Sequence, residues 1–330
     1  MQIGGLTMRK ICLKIHRWLG LAFGVIISII CLTGSVIVFQ DEIKEAINAD
    51  IRHVEDKGEG RYLTDEALID AIRRHTVEGL TLKSIQMPSK ADEPAYAQFA
   101  ERGHQKLAVN PYTGELIGWE KESALVNTAK QLHRYLLNVP SEPHEGMSVG
   151  RFIVGVTAIC MTLILLTGIV IWWPLSKKML KNRLKVSMGK GFRRFVYDSH
   201  VSLGIYGVVF LLLMSLTGPS WSFHWYRQGA MTVLGGDVSN MEHHGQFERQ
   251  QQEKPDEISI MRPDTNHHGQ EKKPPQVVLM QLHTGEWGGL LVKFIYFLAA
   301  IIGALLPWSG YYMWWKRTHP QRKPVVKEIR

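Results

Sequence analysis

The chain is 330 residues long, 45% hydrophobic and 21% charged, with a formal net charge of +9. Its apolar residues gather in four long blocks with the charges between them, which excludes a single soluble globule and a disordered chain. The three cysteines (Cys12, Cys31 and Cys160) each lie in or beside an apolar block, which excludes a disulfide framework and a cysteine-built zinc or iron–sulfur site.

Residues 1–14 form a basic N-terminus. The first apolar block, residues 15–39 (IHRWLGLAFGVIISIICLTGSVIVF), is long enough to cross a bilayer core of ~30 Å as a helix. No small-residue cleavage site follows it, so it is expected to stay as an anchor. Residues 40–148 form a polar loop. Within it Thr64 is expected to cap a helix to about Glu78, with strand-like runs at 80–86, 95–100 and 106–110. The turn from Asn110 to Gly114 then leads into a further run at 115–119. One helix on a small antiparallel sheet, an α+β module over about 63–119, is the expected result.

A second apolar block covers residues 149–173, a third 201–223 and a fourth 289–315. The second and third are separated by a basic segment, 174–200. The third and fourth are separated by a polar loop, 224–288, whose Pro, Gln and His content predicts flexibility at least in its middle. A basic tail, 316–330, closes the chain. The fold class expected is an α-helical membrane protein, a four-transmembrane-helix bundle carrying a small α+β module.

The stretch up to Arg17, the 174–200 segment and the tail together hold 18 basic and 2 acidic residues. The 40–148 loop holds 13 and 19, and the 224–288 loop 6 and 9. The positive-inside rule then puts both termini in the cytoplasm and both long loops outside. The net positive charge is a signature of topology, and no nucleic-acid partner is expected.

A duplication runs through the blocks. The first reads His16-Arg17-Trp18-Leu19-Gly20 and later Leu32-Thr33-Gly34; the third reads His200-Val201-Ser202-Leu203-Gly204 and later Leu216-Thr217-Gly218. From His to the last Gly is 18 residues in both. The second block has Arg151-Phe152-Ile153 and Leu166-Thr167-Gly168; the fourth has Lys293-Phe294-Ile295 and Trp308-Ser309-Gly310, with 17 residues from base to Gly in each. Leu132-His133 and Leu282-His283 stand ahead of these even blocks. The bundle is thus two repeated helix pairs, each with one His at the cytoplasmic end and one at the external end.

Ionisable groups near hydrocarbon are expensive and usually face a bundle interior. Two histidines at matched depth can supply both axial nitrogens to one haem iron. The expected pairs are His16 with His200 and His133 with His283, holding two b-type haems. Hydrogen bonding to a headgroup or carbonyl is the ordinary role of a lone histidine at a helix end; the duplicated pattern favours haem. Gly20, Gly24, Gly204 and Gly207 follow their histidines within two turns and leave room for a flat macrocycle. The Thr-Gly and Ser-Gly steps read as close helix-packing points. Arg151 and Lys293 are candidates to pair with haem propionates, or simply snorkel to the interface. His144 competes with His133 as external ligand. The pairs His243-His244 and His267-His268 read as solvated loop residues. No Ser–His–Asp set, phosphate-binding Gly loop or HExxH motif is present.

At His-Arg-Trp-Leu-Gly, Leu-His-Arg (132–134), Leu-Thr-Gly-Ile-Val-Ile-Trp-Trp-Pro (166–174), Ser-His-Val-Ser-Leu-Gly, Leu-His-Thr-Gly and the late Trp-Trp-Lys-Arg, the sequence resembles the PepSY-associated transmembrane family. These are iron-regulated membrane proteins that include ferric-siderophore reductases. The stretch from Leu63 to Trp119 is similar to a PepSY module. The resemblance covers nearly the whole chain. It implies a haem-dependent oxidoreductase of the bacterial inner membrane that reduces a periplasmic ferric siderophore or other ferric chelate. His16, His133, His200 and His283 match the family's haem-ligand positions. No flavodoxin-like or ferredoxin-reductase-like segment occurs in the sequence, so the expected donor is a separate cytoplasmic one or a quinol. Two other readings remain: a periplasmic regulator or protease inhibitor anchored by the helices, and a siderophore or metal transporter.

Overall fold

Among the described residues four helices are long and apolar enough to cross a membrane: Thr7–Ile37, Val149–Trp172, Phe192–Trp221 and Glu286–Thr318. The computed structural model describes residues 2–54, 60–76, 79–103, 105–140, 147–235, 258–262 and 274–319. In chain order the helices are α1 (Gln2–Ile37), α2 (Gln40–Ile47), α3 (Asp65–His75), α4 (Ala124–Tyr135), α5 (Val149–Trp172), α6 (Lys177–Arg183), α7 (Phe192–Thr217), α8 (His224–Val233), α9 (Pro275–Thr284) and α10 (Gly289–Thr318). The strands are β1 (Leu82–Gln86), β2 (Ala95–Phe99), β3 (Lys106–Val109), β4 (Leu116–Trp119) and β5 (Ser259–Met261). Two units emerge, one holding the long helices and one the sheet.

In the helical unit α1 packs on α5 and α10, and α7 packs on the same two, so α1 and α7 stand on opposite corners of a four-helix bundle. Lipid offers no hydrophobic gradient between apolar helices, so close approach and polar ties must hold them. Both are present. A Cβ on Gly303 of α10 would lie 2.8 Å from Leu211 Cδ2 and 2.9 Å from Cys31 Sγ. Ser28 Oγ donates to the Ala304 carbonyl at 2.8 Å, Tyr311 Oη to that of Leu21 at 2.9 Å, and Thr162 to Ser215 at 3.0 Å. Interior contacts run through Ile27, Cys31 and Ala304 and through Leu165, Val208 and Leu211. Val25, Leu32, Leu163, Val209, Leu298 and Leu305 point outward, as a lipid-facing surface requires.

The second unit is a PepSY-like α+β module. Thr64 caps α3 by accepting from Ala67 N at 3.3 Å. The buried stripe Leu68, Ala71 and Ile72 packs with Ile85, Ala97, Phe99 and Val109 of the sheet. Asn110 Oδ1 accepts from Tyr112 N at 2.9 Å and shapes the turn into β4. Gly114 closes that turn at φ +77°, where a Cβ would sit 2.5 Å from the Ala71 Cβ. Strand order is β4-β3-β2-β1-β5, antiparallel except for the parallel pair β1–β5. That pair corrects the purely antiparallel sheet expected from the sequence and brings residues 259–261 of the 224–288 loop into it. Ile260 of β5 packs on the sheet's core, and the gain in ladder bonds and apolar burial outweighs the polar composition of the flanking chain. Residues 224–233 and 275–284 of the same loop are helical.

Candidate functional site

Histidines come together at both ends of the bundle. At one end the ring centres of His16 on α1 and His200 on α7 are 6.2 Å apart, with planes at 84°. At the other, His133 on the last turn of α4 and His283 on the last turn of α9 are 6.2 Å apart, at 67°. The even histidines therefore ride on short helices ahead of the spans, elements that the apolar pattern of the spans does not reveal. His144, His243, His244, His267 and His268 lie outside the described residues.

All four imidazoles are held in the same way. His16 Nδ1 lies 2.9 Å from the Ile164 carbonyl and 3.4 Å from Thr167 Oγ1. His133 Nδ1 lies 2.8 Å from the Ile30 carbonyl and 3.3 Å from Thr33 Oγ1. His200 Nδ1 meets Ser309 Oγ at 2.7 Å and His283 Nδ1 meets Thr217 Oγ1 at 2.8 Å, while the carbonyls of Leu306 and Met214 face those same rings. In every case the carbonyl belongs to the residue three before the hydroxyl. Each hydroxyl gives its own proton to a carbonyl one turn back, as Ser309 does to Leu306 at 2.6 Å and Thr217 to Leu213 at 2.7 Å. Its lone pair is then left to accept from Nδ1–H. The proton therefore belongs on Nδ1 and the lone pair on Nε2, the tautomer a metal ligand needs. Among the described residues none gives Nε2 of these four a hydrogen-bond partner.

The glycine after each hydroxyl faces the ring, tightly at Gly34 and Gly168 and at ordinary contact distance at Gly218 and Gly310. A Cβ would stand 3.0 Å from His133 Cε1 at Gly34, 3.3 Å from His16 Cε1 at Gly168, 3.7 Å from His283 Cε1 at Gly218 and 3.9 Å from His200 Cε1 at Gly310. The Thr-Gly and Ser-Gly steps, expected as helix-packing points, also carry the hydroxyls that meet the histidines, and at Gly218 the Ala158 Cβ of α5 is the nearer neighbour at 3.6 Å. Each is the holder of one histidine. The two sets of glycines nearer the histidines divide: Gly20 has nothing within 4 Å and Gly204 only Leu306 at 3.8 Å, whereas Gly24 packs on Tyr311 and Pro307, and Gly207 on Ile302 and Leu211.

His16 and His200 open onto a cavity of about 950 Å³ that also takes in Gly20, Gly168, Gly204 and Gly310. Its wall is otherwise apolar apart from a basic set of seven Arg and Lys side chains, with no Asp or Glu. Two of these, Arg9 and Arg183, close the C-terminus of α5 by donating to the Ile171 carbonyl at 2.8 and 3.1 Å. At the opposite end Trp221 lies against His283, ring centres 5.0 Å apart. Withdrawal from water pushes His133 down to about 4 and His283 down to about 3, against the carbonyls that favour their charge; Arg134 adds to both shifts. Both rings are neutral at neutral pH.

Arg151 donates through Nε to the Trp221 carbonyl at 2.8 Å, and Ser222 Oγ donates back to the Arg151 carbonyl at 3.1 Å. Its guanidinium ties the start of α5 to the turn after α7. Lys293 is buried in the first turn of α10.

Two imidazoles bound from opposite sides of one metal atom, with nitrogens at about 2 Å and ring centres about 1.1 Å beyond, have centres about 6 Å apart. Both pairs meet that separation. Among the described residues no group of three or more His, Cys, Asp or Glu could hold a metal ion. Each pair could present two imidazole nitrogens to a bound group.

The family model of the PepSY-associated TM region matches residues 13–317. The chain belongs to that family. A search of curated proteins gave no match. Membership in the PepSY-associated TM region family, together with the four apolar helices, makes the chain a multi-pass membrane protein with a PepSY-like module. The residues that sequence reasoning undervalued in it are Thr33, Thr167, Thr217 and Ser309. Their signal was present as a hydroxyl before glycine at constant spacing from the repeat's histidine or base.

Proposed function

We propose that this member of the PepSY-associated TM region family is an inner-membrane di-haem electron-transfer protein that reduces a ferric chelate, a ferric siderophore for example, outside the cytoplasm. The observation that carries the reading is the pair of bis-histidine sites. Each has ring centres 6.2 Å apart and both Nδ1 atoms engaged with hydroxyls or carbonyls. A tetrapyrrole brings four ligands, the number that two imidazoles leave open on an octahedral iron. When bound, the haems supply the one-electron chemistry.

The chain's own part is to hold, orient and insulate. The Thr or Ser hydroxyl and its neighbouring carbonyl fix the proton on Nδ1 and make Nε2 more basic, which strengthens its hold on the oxidised metal. The apolar wall of the His16–His200 cavity keeps water from the ring faces. The distribution of basic residues supports cytoplasmic termini, so His16 and His200 belong to the side where a cytoplasmic or quinol donor delivers electrons, and His133 and His283 to the outer side. Reduction weakens the grip of hard oxygen donors on iron, so the chelate would release it.

A pyridine haemochrome assay on the purified protein tests the reading. Two non-covalent b-type haems per chain are expected, since the sequence has no Cys-x-x-Cys-His attachment motif. Protein that binds no haem in any preparation would overturn it. Mixing the dithionite-reduced protein with a ferric siderophore should then reoxidise it; an unchanged reduced spectrum would remove the chelate as acceptor.

A further inference from the structure

We infer that the cavity beside His16 contains a carboxylate site, in which Arg17 Nε–H and Trp172 Nε1–H receive the propionates of the haem held by His16 and His200. The inference rests on the function proposed above and deepens it.

Both atoms are buried and have no hydrogen-bond partner among the described residues. Both side chains line the cavity. Arg17 follows His16 in α1, and Trp172 lies one turn beyond Gly168 in α5, whose Cβ would stand 3.3 Å from His16 Cε1. A buried N–H left without an acceptor is costly. Two such groups on one cavity call for an acceptor that arrives with the ligand.

The charge around them says which acceptor. Of the seven basic residues in the lining, Arg9 and Arg183 are committed to the C-terminal carbonyls of α5. Arg194 is paired with Asp198 at 2.9 Å. Arg17, Lys190, Arg193 and Arg317 make no ion pair with any described acid, and the lining contains no acid at all. A ligand that is apolar over most of its area and anionic at one edge matches a cavity that is apolar around the rings and cationic at one end. Arg17 itself is steadied by lying over the Trp18 ring, 5.5 Å from its centre. Carboxylates are strong acceptors from guanidinium and indole N–H groups.

The test uses the full-length protein in detergent and two conservative variants. Trp172→Phe removes the indole N–H and keeps the ring; Arg17→Lys keeps the charge and removes the Nε–H. Haem transfer to excess apomyoglobin is followed by visible absorption. Loss from the His16–His200 site should quicken roughly tenfold in either variant, while loss from the His133–His283 site stays at the wild-type rate and reports intact folding. The same proteins are then reconstituted with haem dimethyl ester, which has no carboxylate. With the ester, wild type and variants should lose it at one common rate. Equal rates with ordinary haem would overturn the inference alone. So would an acceleration that persists with the ester, because it would mean that the two side chains act by packing. A wild-type protein with no haem between His16 and His200 would overturn the proposed function, and this inference with it.

Discussion

Thr217 holds His283 through its hydroxyl, with Gly218 at ordinary contact distance beside the ring. Thr217→Val keeps the shape and deletes the acceptor at 2.8 Å from Nδ1, so haem affinity at the His133–His283 site should fall about 10- to 100-fold. Titrating haem into the apoprotein and following each spectral component separately would show it, and an unchanged affinity would mean the hydroxyl is idle. The glycines allow a graded comparison. Gly34→Ala brings a methyl to 3.0 Å from the His133 ring and Gly310→Ala to 3.9 Å from the His200 ring. The first should lower haem content at its site and the second should leave it near wild type. The repeat made these residues visible in the sequence but not their role. Periodicity reports what lies along one helix, and the partner ring arrives from an element more than sixty residues away.

The short helices that carry the even histidines are fixed by their ends. After His133, α4 stops with Leu136 and Leu137 at φ +49° and +66°, a left-handed pair that costs energy in residues with a Cβ. Leu137 N donates to the Gln131 carbonyl at 3.2 Å and Asn138 Oδ1 accepts from Gly150 N at 3.2 Å. The chain thereby turns straight onto the start of α5. Gly150 allows that contact, since a Cβ there would fall 1.7 Å from the Tyr135 carbonyl oxygen. Gly150→Ala should therefore destabilise the protein by about 1–3 kcal/mol or more. Gly229→Ala, in α8 with nothing within 4 Å of its Cβ, should be neutral or stabilising by up to about 1 kcal/mol. Thermal unfolding in detergent would rank the two, and equal midpoints would refute the docking argument. Composition could place the four spans because a bilayer imposes length and apolarity on each. It could not place α4, α9 or β5, whose stability comes from tertiary contact with elements far away in sequence.

Across the molecule, depth decides which histidines work together. The 18 residues from His16 to Gly34 rise about 27 Å along α1, and Gly34 is the residue beside His133. One bound group cannot serve both ends. His16→Ala and His200→Ala should then abolish the same spectral component, and His133→Ala and His283→Ala the other. A shared component between His16→Ala and His283→Ala would break this scheme. Orientation is checked by fusing a reporter active only outside the cytoplasm. It should be active after Gly118 and silent after Lys185, and the reverse pattern would exchange the input and output faces.

Every histidine is gripped by its own half of the chain: His16 by α5, His133 by α1, His200 by α10 and His283 by α7. Yet each pair takes one ring from each half, and β5 of the second half lies along β1 of the first. The molecule is in this sense a dimer whose two subunits share one polypeptide. Neither half owns a complete site, but each holds its own two imidazoles. Cleavage of the backbone between Lys185 and Lys190 should for that reason leave two fragments that stay together, pinned at both membrane faces by whatever the rings bind and laced once more through the sheet.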